Sequence, residues 1–285
     1  MLIDRSTHRF FALSITASIS ALLLLGLTQT PLLAQSDDLH PEIYRISGKY
    51  FVKSGVDLGK VIVSPIHWKG KDRLLFSGAI ATTGLVMAFL DRGIKEWVDD
   101  HQVTGSKDFS LFVTHLGEPL VLLGLSAVFY IGGEGFKDDN LRKTALLSLE
   151  SFCINGIVVN GMRYLLSRSR PLSGDGPSSF HWFSLKNNRH SFPSGHTSTA
   201  FAVAAVIAGQ SDSFLVGAVS YGLASLVAIS RVYNNEHWAS DVIAASIIGY
   251  FIGKKVLALN RPSDKNKPSL SIAPGLVGFS LSLRF

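Results

Sequence analysis

A chain of 285 residues that is 47 % hydrophobic and only 17 % charged does not have the composition of an ordinary soluble domain, in which roughly a quarter of residues are charged. The deficit points to a membrane protein or an unusually apolar helical one. A net charge of +6 suits an anionic lipid or substrate and does not select nucleic acid, and a single cysteine rules out an intrachain disulfide. That cysteine, Cys153, sits in an apolar run and reads as a buried, inert thiol.

Residues 1–34 combine a charged start (Arg5, His8, Arg9), an apolar run from Phe10 to Leu27 and the ending Pro31-Leu-Leu-Ala34. This is the pattern of a signal peptide, with a retained signal anchor as the competing reading. Residues 35–73 form a polar N-terminal segment whose VDLGKVIVSPIHW stretch suits an amphipathic element at the membrane interface. A helical domain follows over 74–259. Leu74 to Leu90 is charge-free, about 25 Å long as a helix and at the short limit for a bilayer crossing. Asp91 to Asp108 reads as a charged loop, and Phe109 to Ile131 as a second span interrupted by His115, Glu118 and Pro119. His115 and Glu118 could pair with each other or line an entrance. Gly132 to Lys143 has turn composition.

Thr144 to Leu166 is a third span, in which Glu150, Asn155 and Asn160 read as hydrogen-bonding groups between helices, with the lining of a polar path as the alternative. The connection from Leu172 to His190 is long enough to suggest function, although His181-Trp182 within it reads by default as exposed loop. Thr197 to Gln210, Phe214 to Ser230 and Trp238 to Leu259 complete the set. The expectation is an all-α membrane bundle of about six helices in three hairpins. The tail, 260–285, differs: Ser269 to Phe285 alternates polar and apolar residues around Pro274-Gly275, a short β-hairpin pattern.

Three stretches carry chemistry. In RYLLSRSRP, Arg163 and Arg170 are two helical turns apart, and Pro171 disfavours helix at Arg170. Two guanidinium groups converging at a helix exit make an anion clamp, although two arginines snorkelling to a membrane surface would give the same pattern. In Phe192-Pro-Ser-Gly-His196, Ser194 suits a helix N-cap and Gly195 permits close approach of an anion to free backbone N–H groups. His196 then stands where it could protonate a leaving oxygen. An ordinary capped helix with an incidental histidine fits the same residues. In Ser230-Arg231-x5-His237-x3-Asp241, the histidine and carboxylate share a helix face, which would fix the tautomer and leave one ring nitrogen nucleophilic. A surface His–Asp pair is the alternative.

Taken together and in this order, the three stretches resemble the type 2 phosphatidic acid phosphatase and vanadium haloperoxidase superfamily, whose pattern is Lys-x6-Arg-Pro, Pro-Ser-Gly-His and Ser-Arg-x5-His-x3-Asp. The last two are intact, whereas Arg163 occupies the lysine position of the first. The resemblance covers roughly Thr144 to Lys255. It implies a bundle of that family's kind and a phosphohistidine formed on His237, with Asp241 orienting it and His196 as acid and then base. Arg163, Arg170, Arg231, Ser194 and the Gly195 N–H would hold the phosphate oxygens, with no metal or other cofactor.

The reaction expected is hydrolysis of a lipid phosphomonoester or diphosphate. Alternatives are a periplasmic acid phosphatase of broad specificity, a haloperoxidase and a non-catalytic lipid-phosphate binder. Expected partners are the lipid substrate and the bilayer, with no nucleic acid; oligomeric state is not legible. With six crossings, the connections on the site's side carry fewer Lys and Arg than the opposite side, which places the site outside the cytoplasm, on the periplasmic face of an inner membrane. A leader that starts residue 35 outside would send the site inward.

Overall fold

The computed structural model describes residues 44–261 and the backbone of 269–275 and 278–284. The reading of residues 1–34 as a leader lies outside the described residues. Helices run over α1 (Gly48–Val63), α2 (Gly70–Phe89), α3 (Asp91–His101), α4 (Thr104–His115), α5 (Pro119–Gly135), α6 (Asp139–Leu166), α7 (Gly195–Gln210), α8 (Phe214–Tyr233) and α9 (Ala239–Leu259). Strands β1 (Ser269–Gly275) and β2 (Gly278–Arg284) pair antiparallel, with Gly275 opposite Gly278.

Among the described residues four helices, α2, α6, α8 and α9, are long and apolar enough to cross a membrane, and α4 with α5 passes only as a pair bent by 51°. Residues 44–261 thus form a helical membrane bundle, with four or five candidate spans rather than six crossings in three hairpins. α7 explains the difference: its 16 residues fall short of a span. It is instead the central helix, packed by α6, α8 and α9. Its Ala202, Ala205 and Val206 are fully buried, as a helix apolar on every side requires. Two glycines on α9 bring that helix against it: a Cβ at Gly249 would lie 2.1 Å from the Ser198 carbonyl oxygen, and one at Gly253 2.4 Å from that of Ala202. Small residues four apart permit this backbone contact. Asn155 ties α6 to α7 by donating to Thr199 Oγ1 (3.0 Å) and accepting from Ser198 Oγ (2.6 Å). Asn160 is exposed.

The chain departs from expectation in three further places. The charged stretch after Asp91 is the helix α3, not a loop, because buried Asp91 and Val98 give it an inward face that its many charges obscure. The turn expected over Gly132 to Lys143 shrinks to residues 136–138: α5 continues through Gly135, and Asp138 caps α6 by accepting from the Asn140 and Leu141 N–H groups (2.8 and 3.1 Å). Cys153 is exposed rather than buried, since it faces outward from α6.

α1 turns its polar side inward. Lys53 bonds Asp57 (2.6 Å) and Asn260 (2.5 Å), Ser54 faces Glu150, and Phe51, Val52, Val56 and Ile62 point outward. At the other end of the bundle the C-termini of α6 and α8, the N-termini of α7 and α9, the α4–α5 break and α3 converge.

Candidate active site

α6 stops at Leu166, and Ser167 takes a left-handed conformation (φ 45°). The chain then runs extended through Arg170, whose ψ of 158° suits a residue before proline. This short run is held on both sides: Ser169 N–H donates to the Ser179 carbonyl (2.9 Å), and Ser191 N–H to that of Arg168 (3.0 Å). The long connection is therefore folded onto the helix exit. His181 Nε2 lies 2.9 Å from Ser169 Oγ, so that histidine braces the loop, while Leu172, Trp182, Phe183 and Leu185 project from it, exposed.

Arg163 lies across the start of α7. Its Nε donates to the Pro193 carbonyl (2.9 Å), and a Cβ on Gly195 would stand 3.0 Å from its guanidinium carbon. Gly195 thus makes room for a cation, which the expectation of an anion against its backbone had not included. Ser194 is the N-cap residue by position, but its hydroxyl donates to Thr197 Oγ1 (3.0 Å) rather than capping the helix. His196 follows in the first turn, against Gly117 at the α4–α5 break. There His115 Nδ1 pairs with Glu118 Oε1 at 2.6 Å.

α8 ends at Tyr233 and Asn235 turns left-handed (φ 55°), as asparagine tolerates. The Glu236 and His237 N–H groups fold back to donate to the Arg231 carbonyl (3.1 and 3.3 Å). This turn sets His237 beside Arg231. The His237 ring is buried, and its Nδ1 lies 2.7 Å from the Ser191 carbonyl oxygen. A carbonyl only accepts, so Nδ1 carries the proton and Nε2 the free lone pair. Asp241 Oδ2 is 3.7 Å from Nδ1, beyond hydrogen-bond range. The carboxylate therefore acts at one remove: Oδ2 accepts from Ser191 Oγ (2.5 Å) and from the Trp238 N–H (2.9 Å). His237 also precedes α9, so a shared helix face is not what brings the pair together.

Arg168, fully buried, holds this cluster. Its Nε donates to the Pro177 carbonyl (2.7 Å), Nη1 to Ser240 Oγ (2.7 Å) and to Asp241 Oδ1, and Nη2 to Asp91 Oδ2 (2.7 Å). Arg170 and Arg231 meet on one carboxylate oxygen: Glu236 Oε2 accepts from Arg170 Nη1 and lies 3.4 Å from Arg231 Nη2. Arg170 Nε, Arg231 Nε and His237 Nε2 are buried without a hydrogen-bond partner among the described residues. Burial, aided by the Arg231 charge and opposed by Asp241, lowers the His237 pKa to about 3. Burial first, then Arg231, His237, Arg163 and Arg170, lowers that of His196 to about 3. Among the described residues no three His, Cys, Asp or Glu side chains converge with metal-ligand spacing. The convergence is cationic, with a neutral imidazole at its floor, which suits a tetrahedral anion.

The structure brings together all eight residues singled out from the sequence. It adds Arg168, Asp91, Ser191 and Glu236. Arg168 and Glu236 lie inside the motif stretches, and Ser191 directly precedes Phe192-Pro-Ser-Gly-His196. Asp91 carries no local signal.

Residues 144–263 match the profile of the PAP2 superfamily. The chain is 29 % identical over 188 residues to a lipid A 1-phosphatase of Porphyromonas gingivalis, covering 65 % of this chain and 38 % of that protein. It is 27 % identical over 158 residues to an undecaprenyl-diphosphatase of Sulfolobus acidocaldarius, covering 54 % and 71 %. A transmembrane PAP2 type phosphatidylglycerolphosphate phosphatase from Bacillus subtilis, of known crystal structure, superposes with a TM-score of 0.49 at 22 % identity, over 65 % of this chain and 94 % of that one. The chain thus spans well under two thirds of the Porphyromonas protein. The chain is thus similar to the PAP2 superfamily over residues 144–263, the stretch that carries its three motifs at one end of the helical bundle.

Proposed function

We propose that this protein is a membrane phosphatase that hydrolyses the phosphomonoester or diphosphate of a lipid through a phosphohistidine on His237. One observation carries the reading: a buried, neutral imidazole presents an unpartnered Nε2 beside arginines whose own Nε donors are unpartnered. In the first step the Nε2 lone pair forms an N–P bond as the bond from phosphorus to the lipid oxygen breaks. That oxygen takes a proton from His196. In the second step His196 accepts a proton from water, the resulting oxygen attacks phosphorus, the N–P bond returns its pair to Nε2, and inorganic phosphate remains. Arg163, Arg170 and Arg231 stabilise the charge on the three transferred oxygens, with Ser194 and the Gly195 N–H at the helix start. An arriving phosphate brings negative charge that offsets the arginine field on His196, so that it can hold the proton it must donate.

A lipid substrate is supported by the spans of 74–259, by the exposed apolar tips of the 172–190 loop beside the site, and by the named activities of the relatives. Lys137, Arg142, Lys143, Lys254 and Lys255 gather at the opposite end of the bundle, which supports a site on the periplasmic face of an inner membrane.

The test is phosphate release by detergent-solubilised protein from phosphatidate, lipid A, an isoprenyl diphosphate and a water-soluble ester, beside His237→Ala. Turnover of a lipid that disappears in the variant is expected. Turnover of the soluble ester alone would replace the lipid reading, and activity surviving in His237→Ala would remove the nucleophile.

A further inference from the structure

Glu236 is a carboxylate inside a clamp built for anions. Resting on the phosphatase reading, we propose that it is an internal counter-anion, competing with substrate and product phosphate for Arg170 and Arg231 and thereby promoting release of inorganic phosphate.

The two carboxylate arrangements in this end of the bundle differ in kind. Asp91 and Asp241 are fully buried on Arg168, and each takes several donors through both oxygens. That is how a fixed structural counter-charge is held. The Glu236 side chain is 33 % exposed, and both arginines meet it on Oε2 alone. Its occupancy leaves Arg170 Nε and Arg231 Nε buried and unsatisfied. A tetrahedral phosphate, with three oxygens free to accept, can satisfy donors that this carboxylate does not. The Glu236 backbone is pinned by its N–H to the Arg231 carbonyl at 3.1 Å, so exchange needs only rotation of the side chain toward solvent.

Hydrolysis leaves an anion among three arginines, where it would otherwise be held tightly. A tethered carboxylate within reach of two of them supplies a local competitor whose effective concentration is set by the chain rather than by the medium. The same competition weakens substrate binding, so removing the charge should lower KM and slow release together.

The experiment uses the full chain in detergent and compares wild type with Glu236→Gln, Glu236→Ala and Glu236→Asp. Inorganic phosphate is measured as a competitive inhibitor of turnover and, independently of turnover, by its upward shift of the melting temperature. Glu236→Gln should bind phosphate about tenfold more tightly, the weight of one charge-assisted hydrogen bond discounted for exposure. Glu236→Ala should move the same way, and Glu236→Asp should resemble wild type. Unchanged or weaker phosphate binding in Gln and Ala would overturn the proposal and make Glu236 an organiser of the arginines. If wild type turns over no phosphate ester, the phosphatase reading fails, while the melting shift still decides the competition. A wild type and a Glu236→Gln variant that both show no shift with phosphate would overturn both.

Discussion

Replacing Arg168 by methionine removes the cation that bridges two buried carboxylates. The guanidinium bonds the Pro177 carbonyl, Ser240, Asp241 and Asp91, and the Arg168, Ser240, Asp241 and Asp91 side chains are all buried. Methionine fills a similar volume, so the cost is electrostatic: Asp91 and Asp241 face each other's field without compensation. Breaking a buried pair in this way costs about 3–5 kcal/mol. At about 2–4 °C per kcal/mol for a chain of this size, the melting temperature should fall by about 10 °C. Asp241 would also lose its tether and, through Ser191, shift the His237 ring, where a displacement of about 1 Å can cost on the order of 100-fold in rate. The assay is thermal unfolding in detergent followed by tryptophan fluorescence, with turnover measured on folded protein. Arg168→Lys should fall between, because one ammonium cannot serve the fork that four acceptors occupy. The double variant Asp91→Asn with Arg168→Met should recover about 1 kcal/mol or more, since it removes one of the uncompensated charges. A melting temperature within about 2 °C of wild type together with unchanged turnover in Arg168→Met would refute the reasoning.

Three further outcomes are expected. Ser191→Ala removes one donor from Asp241 and keeps the carbonyl that holds Nδ1, so kcat should fall about tenfold with KM unchanged; a raised KM at full kcat would place Ser191 in binding instead. Gly249→Ala forces α9 off α7, because the new Cβ would meet the Ser198 carbonyl oxygen at 2.1 Å, and should destabilise by about 1–3 kcal/mol in the same melting assay. The third outcome concerns pH. The pKa of His237 is lowered to about 3 in the fold from an ordinary value of about 6.5, so its contribution to stability is complete above that ordinary value and is lost as pH falls toward the folded one. Between those values stability should drop by about 1.4 kcal/mol per pH unit from this residue. His237→Gln should flatten the acid limb of melting temperature against pH, and an unchanged slope would contradict a neutral buried imidazole.

Much of the site was legible because its chemistry sits at helix ends, where sequence carries punctuation. Pro171 marks where Arg170 leaves α6, Ser194-Gly195 marks the start of α7, and Ser230 to Asp241 spans one helix exit and the next entry. What binds these ends together was not legible. Asp91 reaches Arg168 across 77 positions and Ser240 across 149, and no local pattern announces a contact at such separation. α3 was hidden for a related reason: its buried acid belongs to a distant cation, so a helix with an inward charge reads as a polar loop. α7 misled by its composition. Alanine-rich and short, it reads as one more crossing, whereas its small side chains are what allow three neighbours to close upon it. Spacing alone pairs Asp241 with His237, whereas in the fold Ser191 stands between them, its hydroxyl on the carboxylate and its carbonyl on Nδ1.

The bundle's two ends are unequal in what they can absorb. Every group of the site depends on the helix ends around α7 Gly195, while the turns at 136–138 and Ser211-Asp212-Ser213 lie a full helix length away and join helices whose alignment is already set by packing. An engineer seeking a place for a fluorescent protein or an affinity tag should choose the second of these. Ser211 is half-buried and Asp212 exposed, and the connection crosses neither the Arg168 cluster nor the α7–α9 seam. A graft there would report on the living protein without entering its chemistry.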